Sequence, residues 1–107
     1  MTAIDFEHLD LDTIRAEAGA KYKNLIVQGV TFRGVLRLTK AERLEFRNIL
    51  KKLDEAEDVV DIYKELLTLT ASDKDAVKSL LDQIEDDGAV LDTLVSLYFE
   101  RTQVGEA

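Results

Sequence analysis

The amino-acid sequence predicts an α+β fold, with an N-terminal helix and a β-hairpin packed against a mainly helical C-terminal half. An alternating, β-branched stretch between residues 23 and 38 stops at Thr39, and helical spacing of apolar residues takes over and persists. Thr39 and Glu42 stand three residues apart at that switch, the pattern of a capping box. Proline is absent, and the later apolar stripes are set apart only by short polar breaks. The chain has 107 residues, a length that suits one domain over 1–107 with one modest core.

The first helix is expected over about 10–22. Asp10 or Asp12 can cap its free amides, and Leu11, Ile14, Ala18 and Tyr22 recur at helical spacing. A hairpin is expected over about 25–38. Gln28-Gly29 suits a tight turn, and the alternation of Phe32, Leu36 and Leu38 with Thr31, Arg33 and Arg37 points Phe32 and Leu36 inward. The next helix, about 39–56, carries Phe46, Ile49, Leu50 and Leu53 on one side and Lys40, Arg43, Arg47 and Lys51 on much of the other. Acidic residues at 54–58 mark a turn into a helix over about 58–70, with Val59, Ile62, Tyr63, Leu66 and Leu67 as its stripe. Ser72 and Asp75 are the expected caps of a helix over about 73–87, which stops near Asp87-Gly88. The last helix, about 89–103, has six apolar positions spread over more than one face. Either it is central to the core, or its spare face, with Leu97, Tyr98 and Phe99, is a contact surface for a partner.

Apolar residues make up 46% and charged residues 34%, a balance that folds and does not stay disordered. There is no cysteine, which excludes disulfides and thiolate metal sites and suits a reducing compartment. The first residues lack the pattern of a secretory signal and no apolar run is long enough to span a membrane, so the expected location is cytoplasmic. The net charge of -8 is unevenly placed. Ten Lys or Arg face seven Asp or Glu up to Leu53, about +3, while four face fifteen from Asp54 onward, about -11. Such a dipole can align copies head to tail or steer a basic partner onto the helical half, and the total charge with few aromatics argues against a nucleic-acid partner.

Chemistry-bearing patterns are scarce. His8 has only scattered carboxylates near it in sequence, a poor metal set. If Gly88 is set on the glycine of a calcium loop, Gln83 falls at the first ligand position and Leu94 where the bidentate glutamate belongs, so the match fails. There is no glycine-rich phosphate loop and no nucleophile beside a base. The expectation is a binding protein, not an enzyme, with no cofactor or metal.

The segment from Tyr22 to Leu53, with Lys21-Tyr22 at its start and Val35-Leu36-Arg37-Leu38-Thr39-Lys40-Ala41-Glu42-Arg43 at its centre, resembles the tail assembly chaperones of long-tailed phages infecting actinobacteria. The likeness extends through the acidic 54–58 stretch and the helical C-terminal half to the ending Glu100-Arg101-Thr102-Gln103-Val104-Gly105-Glu106-Ala107. The compact Gln28-Gly29 connection departs from the longer acidic hairpin tip of that family. The resemblance implies a non-enzymatic role in the host cytoplasm. Such a protein binds the tape measure protein, keeps it soluble until the tail tube polymerises around it, and is not part of the mature virion. It also implies a homo-oligomer and a longer product made by ribosomal frameshifting. The alternative drawn from charge is an acidic regulatory adaptor, or a nucleic-acid mimic, that occupies a basic groove on another protein.

Overall fold

The switch at Thr39 is a complete capping box. The Thr39 hydroxyl accepts from the Glu42 amide at 3.2 Å, and the Glu42 carboxylate accepts from the Thr39 amide at 2.9 Å. A computed structural model describes residues 10–102. Within them the order is α1 (Leu11–Lys21), β1 (Leu25–Val27), β2 (Val30–Phe32), a single 3-10 turn (Val35–Arg37), α2 (Lys40–Glu55), α3 (Val60–Thr70), α4 (Lys74–Ile84) and α5 (Gly88–Thr102). The fold is α+β. His8 and residues 103–107 lie outside the described residues.

The hairpin is tight and short. Gln28 and Gly29 both take positive φ, 49° and 80°, which gives the two-residue turn whose twist matches antiparallel strands. The register pairs Leu25 with Phe32, Ile26 with Thr31 and Val27 with Val30. Pairing between β1 and β2 stops at Phe32, because the backbone of Arg33 turns to a different partner. The Arg33 amide donates to the Thr70 carbonyl, and the Ser72 amide donates to Thr31, so the chain leaving α3 runs antiparallel beside β2.

The expected hairpin over about 25–38 is corrected accordingly. Residues 35–37 form a 3-10 turn, whose period of three brings Val35 and Leu38 to the same side. Leu38 is buried and Val35 packs against the core, whereas Leu36, expected to point inward, is 63% exposed. A second correction concerns the start of α4. Asp73, not Ser72, is the cap, its carboxylate accepting from the Asp75 and Ala76 amides, because Ser72 is already engaged at the sheet edge.

α3 packs against α2, α4 and α5 and lies at the centre of the helical half. Leu66, Leu67 and Ala71 from this region are fully buried, as are Phe32, Leu91 and Tyr98. Phe46 and Ile49 of α2 complete the core from one side, and Val77 and Leu80 of α4 from another. The hydroxyls of the buried Thr70 and Thr102 are satisfied locally. Thr70 donates to Leu66 and Thr102 to Tyr98, each one helical turn back.

α1 behaves differently from the rest. Asp10 caps it through the Thr13 amide at 2.8 Å, but the helix buries no residue. Leu11 and Ile14, half of its apolar stripe, are 58% and 48% exposed.

Phe46 is 4% exposed, and its ring meets Tyr98 and Phe99 at centroid distances of 6.4 and 6.2 Å. Phe46→Ala is expected to destabilise the fold by about 3 to 5 kcal/mol in denaturant titration. The Thr39 amide, followed by the Arg33 guanidinium, holds the Glu42 carboxyl below its ordinary value of 4.5. A depressed folded-state value contributes stability above the unfolded pKa, and that contribution is lost as pH falls through the folded value. Unfolding free energy is expected to decline from about pH 5 downward, and less so in Glu42→Gln, when the two proteins are titrated side by side.

Candidate partner-binding groove

An open apolar hollow lies where the tip of the hairpin meets α4 and α5. Val27 and Gln28 form one wall, Leu80 and Ile84 of α4 a second, and Val90, Leu94 and Leu97 of α5 the floor and rim. The open groove encloses about 460 Å³. Its position follows from local rules. The α4 stripe Val77, Leu80, Leu81, Ile84 is too wide to be covered by α3 alone, and α5 is apolar on more than one face, so their second faces meet in a shallow trough. Val90 is 45% exposed there, on the first turn of α5.

One end of the groove is acidic. Between Ile84 and Ala89 the chain passes through Glu85-Asp86-Asp87-Gly88, and the three carboxylate residues are exposed. Asp87 caps α5 through the Ala89 and Val90 amides, and Asp86 pairs with Lys64 of α3. That pair holds the Lys64 ammonium above its ordinary value. Glu85 ends α4 with φ at 61°, a left-handed geometry that costs a non-glycine residue energy. Across the molecule, Tyr63 of α3 donates to Asp92 of α5 at 2.9 Å, and this bond raises the phenol's pKa.

The three residues expected at a partner surface separate. Leu97 lines the groove. Tyr98 does not reach a surface: it is fully buried, its ring packs edge-on to Phe99 at 5.3 Å, and its hydroxyl donates to the Arg33 carbonyl at 2.8 Å. Burial pushes the Tyr98 phenol far above its ordinary value. Phe99 is half-buried, turned toward Phe46. Within α5 a one-residue step rotates a side chain by about 100°, so three consecutive residues cannot share one face. Val90 and Leu94, which do share the groove with Leu97, carry the i, i+4, i+7 signal that identifies that face in the sequence.

A second hollow, about 530 Å³, lies between α2 and α3 and is lined by Glu45, Ile49, Lys64, Glu65 and Lys74 among others. Its charged lining and the carbonyl bonds made by Lys74 mark it as part of the α3 end rather than an apolar docking face. No group of three or more His, Cys, Asp or Glu among the described residues is arranged to hold a metal ion. No described helix is long and apolar enough to cross a membrane.

A family model described as mycobacteriophage tail assembly protein matches residues 6–107. The chain belongs to that family. Neither the curated proteins nor the solved structures contain a match to it. The region matched in this tail assembly protein takes in every described element, the groove and its acidic end included.

Replacing Tyr98 by Phe keeps the ring cluster and removes the bond to the Arg33 carbonyl. Tyr98→Phe is expected to lower stability by about 1 to 2 kcal/mol, because a part-buried acceptor is left unserved, with the circular dichroism spectrum unchanged.

Proposed function

We propose that this tail assembly protein is a non-enzymatic chaperone of the phage tape measure protein. It binds that long helical polypeptide and keeps it soluble in the host cytoplasm until the tail tube polymerises around it, and it does not remain in the finished virion. The reading rests on the apolar groove in a member of a tail assembly family. A helix with an exposed apolar face needs a complementary trough, and Val27, Leu80, Ile84, Val90, Leu94 and Leu97 supply one. The acidic turn beside it, and the negative charge of the whole C-terminal half, keep a protein with such an uncovered surface from aggregating. Several copies act along one tape measure molecule, together with a longer frameshift product that shares the domain.

Co-expression tests this directly. The unmodified chain is expected to shift the cognate tape measure protein from the insoluble to the soluble fraction, and Val90→Asp to lose that effect while melting like the wild type. Solubilisation unaffected by Val90→Asp and by Leu97→Asp would remove the groove from the contact. Salt separates this reading from an acidic mimic that seats in a basic groove, a role the charge of the C-terminal half would serve. Binding through apolar surface persists as ionic strength rises, whereas binding by charge at the surface falls away.

A further inference from the structure

Two unsatisfied surfaces on this molecule fit each other. α1 is an 11-residue helix that buries nothing, and a helix of that length is marginal in water without a packed face. The groove between the hairpin tip, α4 and α5 is an apolar trough in which Leu94 is buried at the floor, Leu97 is half-buried and Val90 is exposed at the rim. The stripe Leu11, Ile14, Ala18 covers seven residue steps, and so does Val90 to Leu97, each about 10 Å along a helix axis. Charge sets the direction. The stretch that ends α1 and leads into β1 carries Lys21 and Lys23, and no Asp or Glu occurs from Lys21 to Arg37, while the turn next to the groove carries exposed Glu85 together with Asp86, paired with Lys64, and Asp87, the cap of α5.

We infer that α1 of one copy docks in the groove of a second copy, its apolar stripe on Val90 and Leu97 and its basic end toward the 85–87 turn. The contact is between copies because of where α1 is tied. Only Tyr22, Lys23 and Asn24 join it to β1, at the Leu25 end of the hairpin, and its last turn lies beside the 3-10 turn, where Arg37 comes within 3.7 Å of the Cβ position of Gly19. The groove opens at the opposite end of the hairpin, by Val27 and Gln28. Donor and acceptor are different surfaces, so the contact is heterologous and does not close at two copies unless the rotation is twofold. A single helix in a trough buries less than a standard interface, so the association is weak and rapidly reversible.

The inference uses the groove of the tape measure reading, so one copy's groove holds either α1 of a neighbour or the tape measure helix; its test uses the purified chain alone, so that failure of either reading is seen separately. In sedimentation velocity and light scattering over roughly tens to hundreds of micromolar, where weak interfaces populate, the average mass is expected to climb from that of one 12.1 kDa chain past that of two. Ile14→Asp removes the donor and Val90→Asp the acceptor, and each variant alone is expected to stay monomeric. Both positions are exposed, and Leu11→Asp and Thr93→Arg serve as second choices if either fails to fold. An equimolar mixture of the two variants retains one intact donor and one intact acceptor, and is expected to form a one-to-one pair that grows no further. A wild-type chain that is monomeric throughout, a variant that still associates, or a mixture that stays monomeric would each overturn the inference. The last result would point to a twofold contact of like surfaces.

Discussion

The Arg33 guanidinium is the interaction on which the other parts of the fold depend. Its Nε donates to the Thr70 carbonyl at 3.1 Å, and Nη2 donates to the Leu69 and Ala71 carbonyls at 3.1 and 3.3 Å. Both terminal nitrogens also meet the Glu42 carboxylate in a two-point pair, at 3.3 and 3.1 Å. One side chain therefore closes the carbonyl end of α3, where positive charge is favourable, and holds the carboxylate that caps α2. The backbone of the same residue ends the hairpin by donating to Thr70 and receives the Tyr98 hydroxyl from α5. Lys74 assists at the same helix end, donating to the Thr68, Leu69 and Ala71 carbonyls, and its burial there depresses the ammonium pKa. A planar fork with fixed donor directions can serve four acceptor residues at once, which a flexible ammonium such as Lys74 does less specifically.

Much of the fold was legible because the signals were local. The Thr39 and Glu42 pair needs only three residues to act, and the Gln28-Gly29 turn only two, so both are found where their spacing places them. Phe32, Phe46, Ile49, Leu66 and Val77 are buried as their periodicities imply. Arg33 looked like an ordinary outward residue of an alternating strand. Its partners lie 9, 36, 37, 38 and 65 residues away, and nothing local announces them. Because Arg33 draws its backbone toward Thr70, the strand ends early, and the alternation at 35–38 belongs to a 3-10 turn instead.

The groove was half legible. Surplus apolar residues on α5 pointed either to a central helix or to a free face, and in the structure Leu91, Leu94, Val95 and Tyr98 are buried, while Leu97 is half-buried and Val90 exposed where they line the groove. Aromatic side chains drew attention to the wrong neighbours. Tyr98 and Phe99 are large because they fill the space beside Phe46, whereas the open face is built from aliphatic residues that look unremarkable one at a time. The other wall of the groove comes from the hairpin tip and α4, which are more than fifty residues apart in sequence between Gln28 and Leu80, and no spacing rule joins them.

Gly34 carries a consequence for how much of α5 the fold requires. A Cβ at that position would stand 3.1 Å from the Cβ of Thr102 and 3.2 Å from its carbonyl oxygen, so the chain leaving β2 is pressed directly onto the last described turn of α5. That contact, with the Tyr98 bond one turn earlier, clamps the chain near its start to the chain near its finish. A polypeptide that departs from this sequence before Tyr98 forfeits both contacts, and one that departs between Tyr98 and Thr102 keeps only the hydroxyl bond to Arg33. One that departs after Thr102 keeps both contacts.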